Sequence, residues 1–490
     1  MQLTQALHRA VALRPNGIAT ICGSRRQTFA QFRNRVARLA GALRRLGVCA
    51  GDRVGILSLN SDRYVEAYMA IPWAGAAFNP INTRWSSAEI AYSLDDCDTR
   101  VLLVDDAFVP MAAELKQKSR SLATLIHGGD QPTPDGMLSY EALIAAQEPV
   151  PDANRHGKDL AGVFYTGGTT GHPKGVMVPH EALVFNGMVL ANEGMARPGD
   201  IALHAAPMFH IADCCMSNAQ WALGGTHVAL PGFTPLAALQ ALQRERVTVV
   251  TLVPTMVQMV VDHPEAANFD LSSLRMLAYG GSPINEALLD RAQRLLSGAQ
   301  FLQVYGMTEL APTISVLAPE LHSAEGRGNG RLRSAGIPCT GISVRIVSPE
   351  GEDVPRGRDR GDHRAQPRRD ARLLGQARGD GQRTGARAER GLDAHRRRRA
   401  HRRVGLPLRR RPREGHDHFR RRERLLRRGR AGRCQAPGSS CMRRDRSSRP
   451  TVGRAGSRGG GAQSRYAGHR RGYSRTLQDV DWWLQVPEER

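Results

Sequence analysis

Charge is distributed unevenly along this chain, with a sharp change at about residue 355. The segment 356–490 holds 40 arginines against 14 acidic residues, whereas the segment 1–355 holds 29 basic and 32 acidic residues. A stretch with so many arginines and few apolar residues cannot bury enough surface to offset the conformational entropy lost on folding. We therefore expect a globular domain over 1–355 and a disordered, Arg-rich segment over 356–490.

The Arg-rich segment 356–490 admits two interpretations. It contains no lysine, isoleucine or asparagine, although 1–355 contains 31 residues of these three types. All three have A/T-rich codons, so their joint absence is typical of a GC-rich gene read out of frame. Codons can be chosen for 391–400 that read "GWMHTGDVG" one base later, and similar matches arise at 371–380 and 410–426. This pattern favours a frameshift; the alternative is a basic arm that binds nucleic acid or another anionic surface.

The first 355 residues carry a clear helical signal near their start. Apolar residues recur there at spacings of three and four, which predicts an amphipathic helix. They are Phe29, Phe32, Val36, Leu39, Leu43 and Leu46. Thr28 with Gln31 fits a capping box at the beginning of this helix, and Gly47 fits its end.

Short apolar runs alternate with such helices along the same segment. They begin at Val54, Val101, Ala161, Ile201, Val247 and Leu274. Strands in alternation with helices favour an α/β fold whose parallel sheets are covered on both faces. From Ile342, "ISVRIV" alternates with period two before the turn "SPEGEDV", which predicts an antiparallel hairpin that begins a further module.

Cysteine usage and hydropathy limit the class of protein. The eight cysteines form no C-x-x-C pair, so neither a zinc site nor a disulfide framework is indicated. No apolar run has the length of a membrane span, and the first residues show no signal-peptide pattern. We expect a cytoplasmic protein without a transmembrane segment, and the sequence does not indicate its oligomeric state.

The strongest chemical signal is the loop "FYTGGTTGHPKG" over 164–175. Glycines let backbone N–H groups turn toward an anion, threonine hydroxyls add donors, and Lys174 adds a mobile positive charge. The loop is not a Walker A motif, because Gly175 follows Lys174 where that motif requires Ser or Thr. The pattern predicts a site for a polyphosphate.

This loop and three later motifs together resemble the adenylate-forming superfamily of acyl-CoA synthetases, peptide-synthetase adenylation domains and luciferases. The later motifs are "PMFHIA" at 207–212, "YGGSP" at 279–283 and "YGMTE" at 305–309. Gly167 stands where the family has serine, which removes one hydroxyl donor. The resemblance covers about the first 355 residues. It implies two doubly wound subdomains of the family's N-terminal domain, followed by an incomplete β module.

The resemblance also implies roles for individual residues. It makes Lys174, Thr308, Glu309 and His210 catalytic, with Thr308 on the α-phosphate and His210 in the carboxylate pocket. It implies that Thr166 and Glu309 hold Mg²⁺ and that Tyr305 stacks near adenine. The nucleotide-binding positions that it implies are Thr166, Gly167, Gly168, Thr169, Thr170, Gly171, Lys174, Gly280, Gly281, Ser282, Tyr305, Gly306 and Thr308.

The reaction that the resemblance implies is a two-step ligation. ATP and a carboxylic acid, fatty or aryl, give an acyl-adenylate, and a thiol, usually that of coenzyme A, then displaces AMP. The apolar context after His210 is expected to line a mostly hydrophobic acid pocket. The family's ribose-binding T-G-D motif and C-terminal lysine have no counterpart in 356–490, so we expect impaired activity. We expect no specific nucleic-acid partner.

Overall fold

The computed structural model describes residues 1–167, 173–328, 330–347, 372–377 and 484–485. Its α-helices are α1 (Gln5–Leu13), α2 (Phe29–Arg45), α3 (Asp62–Ala74), α4 (Ser87–Asp96), α5 (Val109–Lys118), α6 (Tyr140–Ala145), α7 (His180–Asn192), α8 (Ile211–Leu223), α9 (Pro235–Arg244), α10 (Pro254–Val261), α11 (Glu286–Leu295) and α12 (Ala324–Gly328). Its strands are β1 (Ile18–Cys22), β2 (Arg25–Thr28), β3 (Arg53–Leu57), β4 (Ala77–Pro80), β5 (Thr99–Val104), β6 (Thr124–His127), β7 (Leu138–Ser139), β8 (Leu160–Thr166), β9 (Lys174–Pro179), β10 (Ile201–His204), β11 (Thr226–Ala229), β12 (Val249–Leu252), β13 (Met276–Gly280), β14 (Gln300–Gly306), β15 (Thr313–Leu317), β16 (Ser334–Pro338), β17 (Ile342–Val347), β18 (Arg372–Ala377) and β19 (Leu484–Gln485).

Most strands belong to two large sheets. The ten-stranded sheet has the order β19-β16-β15-β14-β13-β12-β10-β11-β1-β2, and the seven-stranded sheet has the order β7-β6-β5-β3-β4-β8-β9. From β14 to β1, and from β7 to β8, neighbouring strands are parallel. Antiparallel strands occur only at the ends of these two runs. The prediction of an α/β fold with parallel sheets is confirmed.

The helices pack against these sheets through three clusters of buried apolar side chains. The largest contains side chains of both sheets and of six helices, α1, α2, α3, α6, α7 and α8. Of these, α2, α3, α7 and α8 contribute most of its residues and lie between the sheets. The second cluster packs α9, α10 and α11 on the other face of the ten-stranded sheet. The third packs α4 and α5 on the other face of the seven-stranded sheet. Each sheet is therefore covered on both faces, as its near-continuous apolar strands require.

Helix α2 follows the predicted pattern closely. Thr28 and Gln31 form the capping box, with the Gln31 N–H donating to the Thr28 hydroxyl at 3.2 Å and the Thr28 N–H donating to Gln31 Oε1 at 2.9 Å. Gly47 adopts a left-handed φ of 86° just after the helix. Five of the apolar side chains that predicted α2 are fully buried, and each contributes about 1.5–3 kcal/mol to stability. They are Phe29, Phe32, Val36, Leu39 and Leu43.

The strand predicted from Ile342 is β17. It pairs antiparallel with β18, whereas the predicted turn "SPEGEDV" lies outside the described residues. Strands β18 and β19 fall within the segment 356–490 that was expected to be disordered. For these eight residues the structure records strand pairing, because the edges of β17 and β16 present unpaired backbone groups. The rest of 356–490 lies outside the described residues.

None of the described helices combines the length and the apolar composition that crossing a bilayer requires.

Candidate active site

The glycine loop connects the two strands of an antiparallel hairpin. Strand β8 leads into the loop and β9 leaves it, with Thr166 directly opposite Lys174. Since no helix follows the loop, an anion there would be held by the loop's own N–H groups and side chains, without a helix N-terminus. Lys174 is exposed and Thr166 half-buried. The predicted positions Gly168, Thr169, Thr170 and Gly171 lie outside the described residues.

Gly175 has a steric role in this hairpin. A Cβ atom at this position would lie 2.9 Å from the Tyr165 ring and from a methyl group of Val163. The Tyr165 hydroxyl donates to Asp96 Oδ2 at 2.7 Å, so this ring is held in place. Any side chain at 175 would therefore displace the hairpin strand that precedes the loop.

The predicted residues of the "YGGSP" and "YGMTE" motifs lie at the carboxyl ends of β13 and β14 and in the segments directly after them. These strands are parallel neighbours, and Gly280 is the register partner of Val304. A Cβ at Gly280 would lie 2.4 Å from the Val304 carbonyl oxygen, so only glycine permits this approach. Gly281, the first residue after β13, has a left-handed φ of 78°, which favours glycine at this position. The segments after the two strands thus lie side by side, where ligands bind in sheets of this type.

Thr308 and Glu309 lie in a short 3₁₀ turn, Thr308–Leu310, which follows β14. The chain reverses here, since the Met307 N–H donates to the Pro312 carbonyl at 2.9 Å. Ala311, which ends the turn, adopts a left-handed φ of 61°. This conformation is unfavourable for a residue with a Cβ, so the surrounding packing stabilises it.

One contact joins the glycine loop to this turn. The Thr166 hydroxyl donates to Glu309 Oε1 over 3.5 Å, across 143 positions of the sequence and between the two sheets. The two residues predicted to hold magnesium are therefore together. A carboxylate and a hydroxyl are hard oxygen ligands that suit Mg²⁺. Among the described residues no group of three or more His, Cys, Asp or Glu could hold a metal.

His210 reaches the same edge of the ten-stranded sheet by another route. It is the N-cap residue of α8 and follows the carboxyl end of β10, two strands from β13 in the sheet. Its imidazole is exposed at one side and lies 4.5 Å from the Phe209 ring. Loss of hydration, followed by the charge of Arg84, lowers its pKa below the usual value. A neutral imidazole with an N–H to donate is therefore favoured near neutral pH.

The residues after His210 have mainly a packing role in the described structure. Four residues of α8 are buried in the apolar core: Ile211, Cys214, Cys215 and Met216. Ala212, also on α8, is exposed. The Cys215 thiol lies 3.9 Å from the carbonyl oxygen of Ala311, so α8 packs directly against the turn that carries Glu309. That these residues line an acid pocket remains a prediction.

The described residues of the candidate site thus combine a glycine hairpin, two adjacent strand ends and one carboxylate–hydroxyl contact between the sheets. The family model of AMP-binding enzymes matches residues 7–362, nearly three quarters of the chain. The chain belongs to the AMP-binding enzyme family.

Two relatives within this family are named as a CoA synthase and a CoA ligase. The chain is 38% identical over 351 residues to a feruloyl-CoA synthase of Amycolatopsis sp, which covers 71% of the chain and 67% of the relative. It is 33% identical over 339 residues to a long-chain-fatty-acid–CoA ligase of Thermus thermophilus, covering 68% of the chain and 61% of the relative. The matched part therefore spans about two thirds of these AMP-binding enzymes.

Solved structures of AMP-binding enzymes share the fold. An anthranilate CoA ligase in complex with anthranoyl-AMP matches with a TM-score of 0.68 at 25% identity, covering 77% of this chain and 69% of that chain. The N-terminal domain of FACL13 from Mycobacterium tuberculosis matches with a TM-score of 0.65 at 25% identity, covering 72% of this chain and 86% of that chain. The expected fold of the family's N-terminal domain is confirmed.

Arg84 lies near the candidate site, and the motifs did not indicate it. It stands between β4 and α4 and is exposed, yet its charge reaches His210, 126 positions later. No local pattern in "INTRW" connects it with His210. Since β4 and β10 belong to different sheets, the packing of the two sheets brings Arg84 and His210 near each other.

Proposed function

We propose that residues 1–355 form an acid-activating domain that works with ATP, magnesium and coenzyme A in the cytoplasm. Its substrate is a fatty or aryl carboxylic acid, which it converts into an acyl-adenylate and then into a thioester. The observation that carries this proposal is the contact between Thr166 and Glu309, which joins the phosphate loop to the adenylate motif. The relatives named for feruloyl and long-chain fatty acids support the substrate class.

In the first step a carboxylate oxygen attacks the α-phosphorus of ATP. A new O–P bond forms, the bond from the α-phosphorus to the bridging oxygen breaks, and pyrophosphate leaves with that electron pair. Two anions approach each other, so catalysis depends on positioning and on neutralising charge. Lys174 adds a positive charge at the exit of the loop, opposite Thr166, and Thr308 offers a hydroxyl to the α-phosphate.

Glu309 and Thr166 are the residues that would hold magnesium, which when bound supplies charge neutralisation on the phosphates. Tyr305 and the Gly280–Gly281 backbone flank the adjacent strand ends, where the adenine would lie. His210, whose lowered pKa favours the neutral form, donates an N–H to the carboxylate without protonating it. The carboxylate therefore keeps its nucleophilic oxygen.

In the second step the thiolate of coenzyme A attacks the acyl carbon of the adenylate. A C–S bond forms, the C–O bond to AMP breaks, and AMP leaves with the electron pair, while the thiol proton passes to solvent. The neutral His210 can donate the same N–H to the carbonyl oxygen as negative charge develops there.

The test of this function is carboxylate-dependent release of pyrophosphate, measured over a panel of fatty and aryl acids. We expect Glu309→Gln to lower the rate about 100-fold, the size of losing one preorganised charge-stabilising group. Glu320→Gln removes an equal charge at an exposed position of the same domain and should leave the rate unchanged. Equal rates for the two variants would reject the role of Glu309, and no dependence on any acid in a form that also carries the family's C-terminal domain would reject the function.

We further propose that segment 356–490 limits this activity through a change of reading frame. Its support is compositional, since the segment holds 40 arginines and no lysine, and the family match ends at 362. Sequencing the gene around codons 350–360 should show a coding C-terminal domain one base out of register. A form read in that frame should release pyrophosphate much faster than the chain as it stands. Comparable turnover, or a random shifted frame, would reject this part of the proposal.

A further inference from the structure

The segment that carries His210 is held by a residue of the other sheet. Asn60 follows β3 of the seven-stranded sheet, and its side chain is buried. Its Nδ2 donates to the carbonyl oxygens of His204 at 2.9 Å and Ala206 at 2.8 Å. Its Oδ1 accepts from the Met208 N–H at 2.8 Å. One amide thus makes three hydrogen bonds to the backbone between β10 and α8.

These bonds fix the orientation of the Asn60 amide. Both amide hydrogens are used, and they face two carbonyl oxygens, while the amide oxygen faces an N–H. A flipped amide would place oxygen against both carbonyls, so only one orientation is compatible with the segment. Tyr68 of α3 also donates its hydroxyl to the Met208 carbonyl at 2.6 Å, so Met208 is held through both backbone groups.

Asn60 itself stands on a rigid support. Ser61, the next residue, caps α3 by accepting from the Tyr64 N–H at 3.1 Å. On the other side Asp105, which follows β5, accepts from the Leu59 N–H at 2.7 Å. The position of Asn60 is thus set by β3, α3 and the neighbouring strand β5. Through its three hydrogen bonds, Asn60 fixes the segment before His210 relative to these elements.

We propose that Asn60 is a positioning residue for acid activation, holding the segment 204–210 so that His210 meets the carboxylate beside the nucleotide. This inference rests on the proposed function. Asn60 acts through the backbone of the segment and not on a reactant. A displacement of about 1 Å in a reacting group can cost about 100-fold in rate. The loss of these bonds should therefore weaken recognition of the acyl part far more than recognition of AMP.

The sharpest variant is Asn60→Asp, which keeps the shape and the acceptor for the Met208 N–H. This change replaces the side-chain NH2 group, which donates two hydrogen bonds, with an oxygen that faces the carbonyl oxygens of His204 and Ala206. The matched control is Gln220→Glu, the same amide-to-carboxylate change in a buried residue that donates to the Met195 carbonyl at 3.1 Å. Gln220 lies on α8 as well, ten residues and about 15 Å beyond His210. Tyr68→Phe provides a milder second variant that removes one bond to the segment and keeps the ring.

Two measurements on the full chain separate positioning from general stability. The first is amide hydrogen exchange over 205–210, which should become about tenfold faster in Asn60→Asp and Tyr68→Phe but not in Gln220→Glu. The second is affinity for AMP and for an acyl sulfamate of adenosine, a stable mimic of the acyl-adenylate. We expect Asn60→Asp to lose about 100-fold for the mimic and less than about threefold for AMP. The melting temperature of each variant is recorded alongside.

Three results would overturn the inference. Unchanged exchange over 205–210 in Asn60→Asp and Tyr68→Phe would show that the segment is held without these bonds. Equal losses for AMP and for the mimic would assign a purely structural role to Asn60. If Asn60→Asp and Gln220→Glu lose the same stability and the same affinity for the mimic, the role of Asn60 is again purely structural. If the unsubstituted chain binds the mimic no better than AMP, the proposed function fails, and hydrogen exchange alone decides whether Asn60 holds the segment.

Discussion

Replacing Ala311 with glycine is expected to stabilise the protein, although it removes a methyl group. This residue ends the turn that carries Thr308 and Glu309, and its φ of 61° lies in the left-handed region. Among the described residues only Asp98, Asn154 and Arg246 share this feature without being glycine. Replacing Ala311 with glycine removes the Cβ that makes the conformation unfavourable, and the hydrogen bonds of the turn can remain.

The magnitude follows from opposing contributions. A left-handed conformation costs a residue with a Cβ about 1–2 kcal/mol, which Ala311→Gly recovers. The greater freedom of glycine in the unfolded chain removes about 0.4–1 kcal/mol of this gain. The Ala311 methyl group is half-buried, and losing its contacts removes a few tenths more, within the roughly 0.8 kcal/mol of a fully buried methylene. The net expectation is a stabilisation of about 0.5 kcal/mol.

The assay is denaturant unfolding of Ala311→Gly beside Ala113→Gly, an exposed position inside α5. The control should lose about 1 kcal/mol, since glycine is unfavourable in a helix interior, so the two variants should differ by about 1.5 kcal/mol. A freer turn should also weaken magnesium-dependent binding of ATP, because Thr308 and Glu309 lose their fixed position. A destabilised Ala311→Gly, or one with tighter ATP binding, would refute the reasoning.

Three further predictions concern the cap of α2, a buried histidine and the basic segment. Thr28→Ala should cost about 1 kcal/mol in urea unfolding, because it removes the reciprocal capping box; an unchanged midpoint would contradict this. Burial lowers the pKa of His322 to about 4, so the unfolded chain binds more protons between pH 6.5 and 4, and stability should fall as pH decreases through that window. His322→Phe should reduce the slope of stability against pH by up to about 1.4 kcal/mol per unit, and an unchanged slope would argue against it. Truncation after Pro355 should abolish salt-sensitive binding to DNA of any sequence, whereas sequence preference in the full chain would support a selected nucleic-acid-binding role.

Much of the local structure could be predicted from the residues alone. The period of the apolar residues and the Thr28–Gln31 pair predicted α2, its start and its end, because capping and amphipathicity act within a few residues. The apolar runs marked strands of both sheets for the same reason. The glycine loop and the "YGMTE" motif were recognisable because their chemistry requires particular residue types at fixed short spacings. The antiparallel partner of β17 was not predictable, since it lies beyond the adjacent turn.

The relations between these motifs depended on the tertiary structure. Thr166 meets Glu309, and Asn60 meets the backbone from His204 to Met208, across more than 140 positions in each case. Nothing near Asn60 in the sequence marks it, since a buried asparagine is defined by the carbonyls that it faces. Which strand ends meet is decided by strand order and by the packing of α2, α3, α7 and α8 between two sheets. Short-range patterns therefore determined the elements and the reactive groups, whereas long-range packing determined which of those groups face one another.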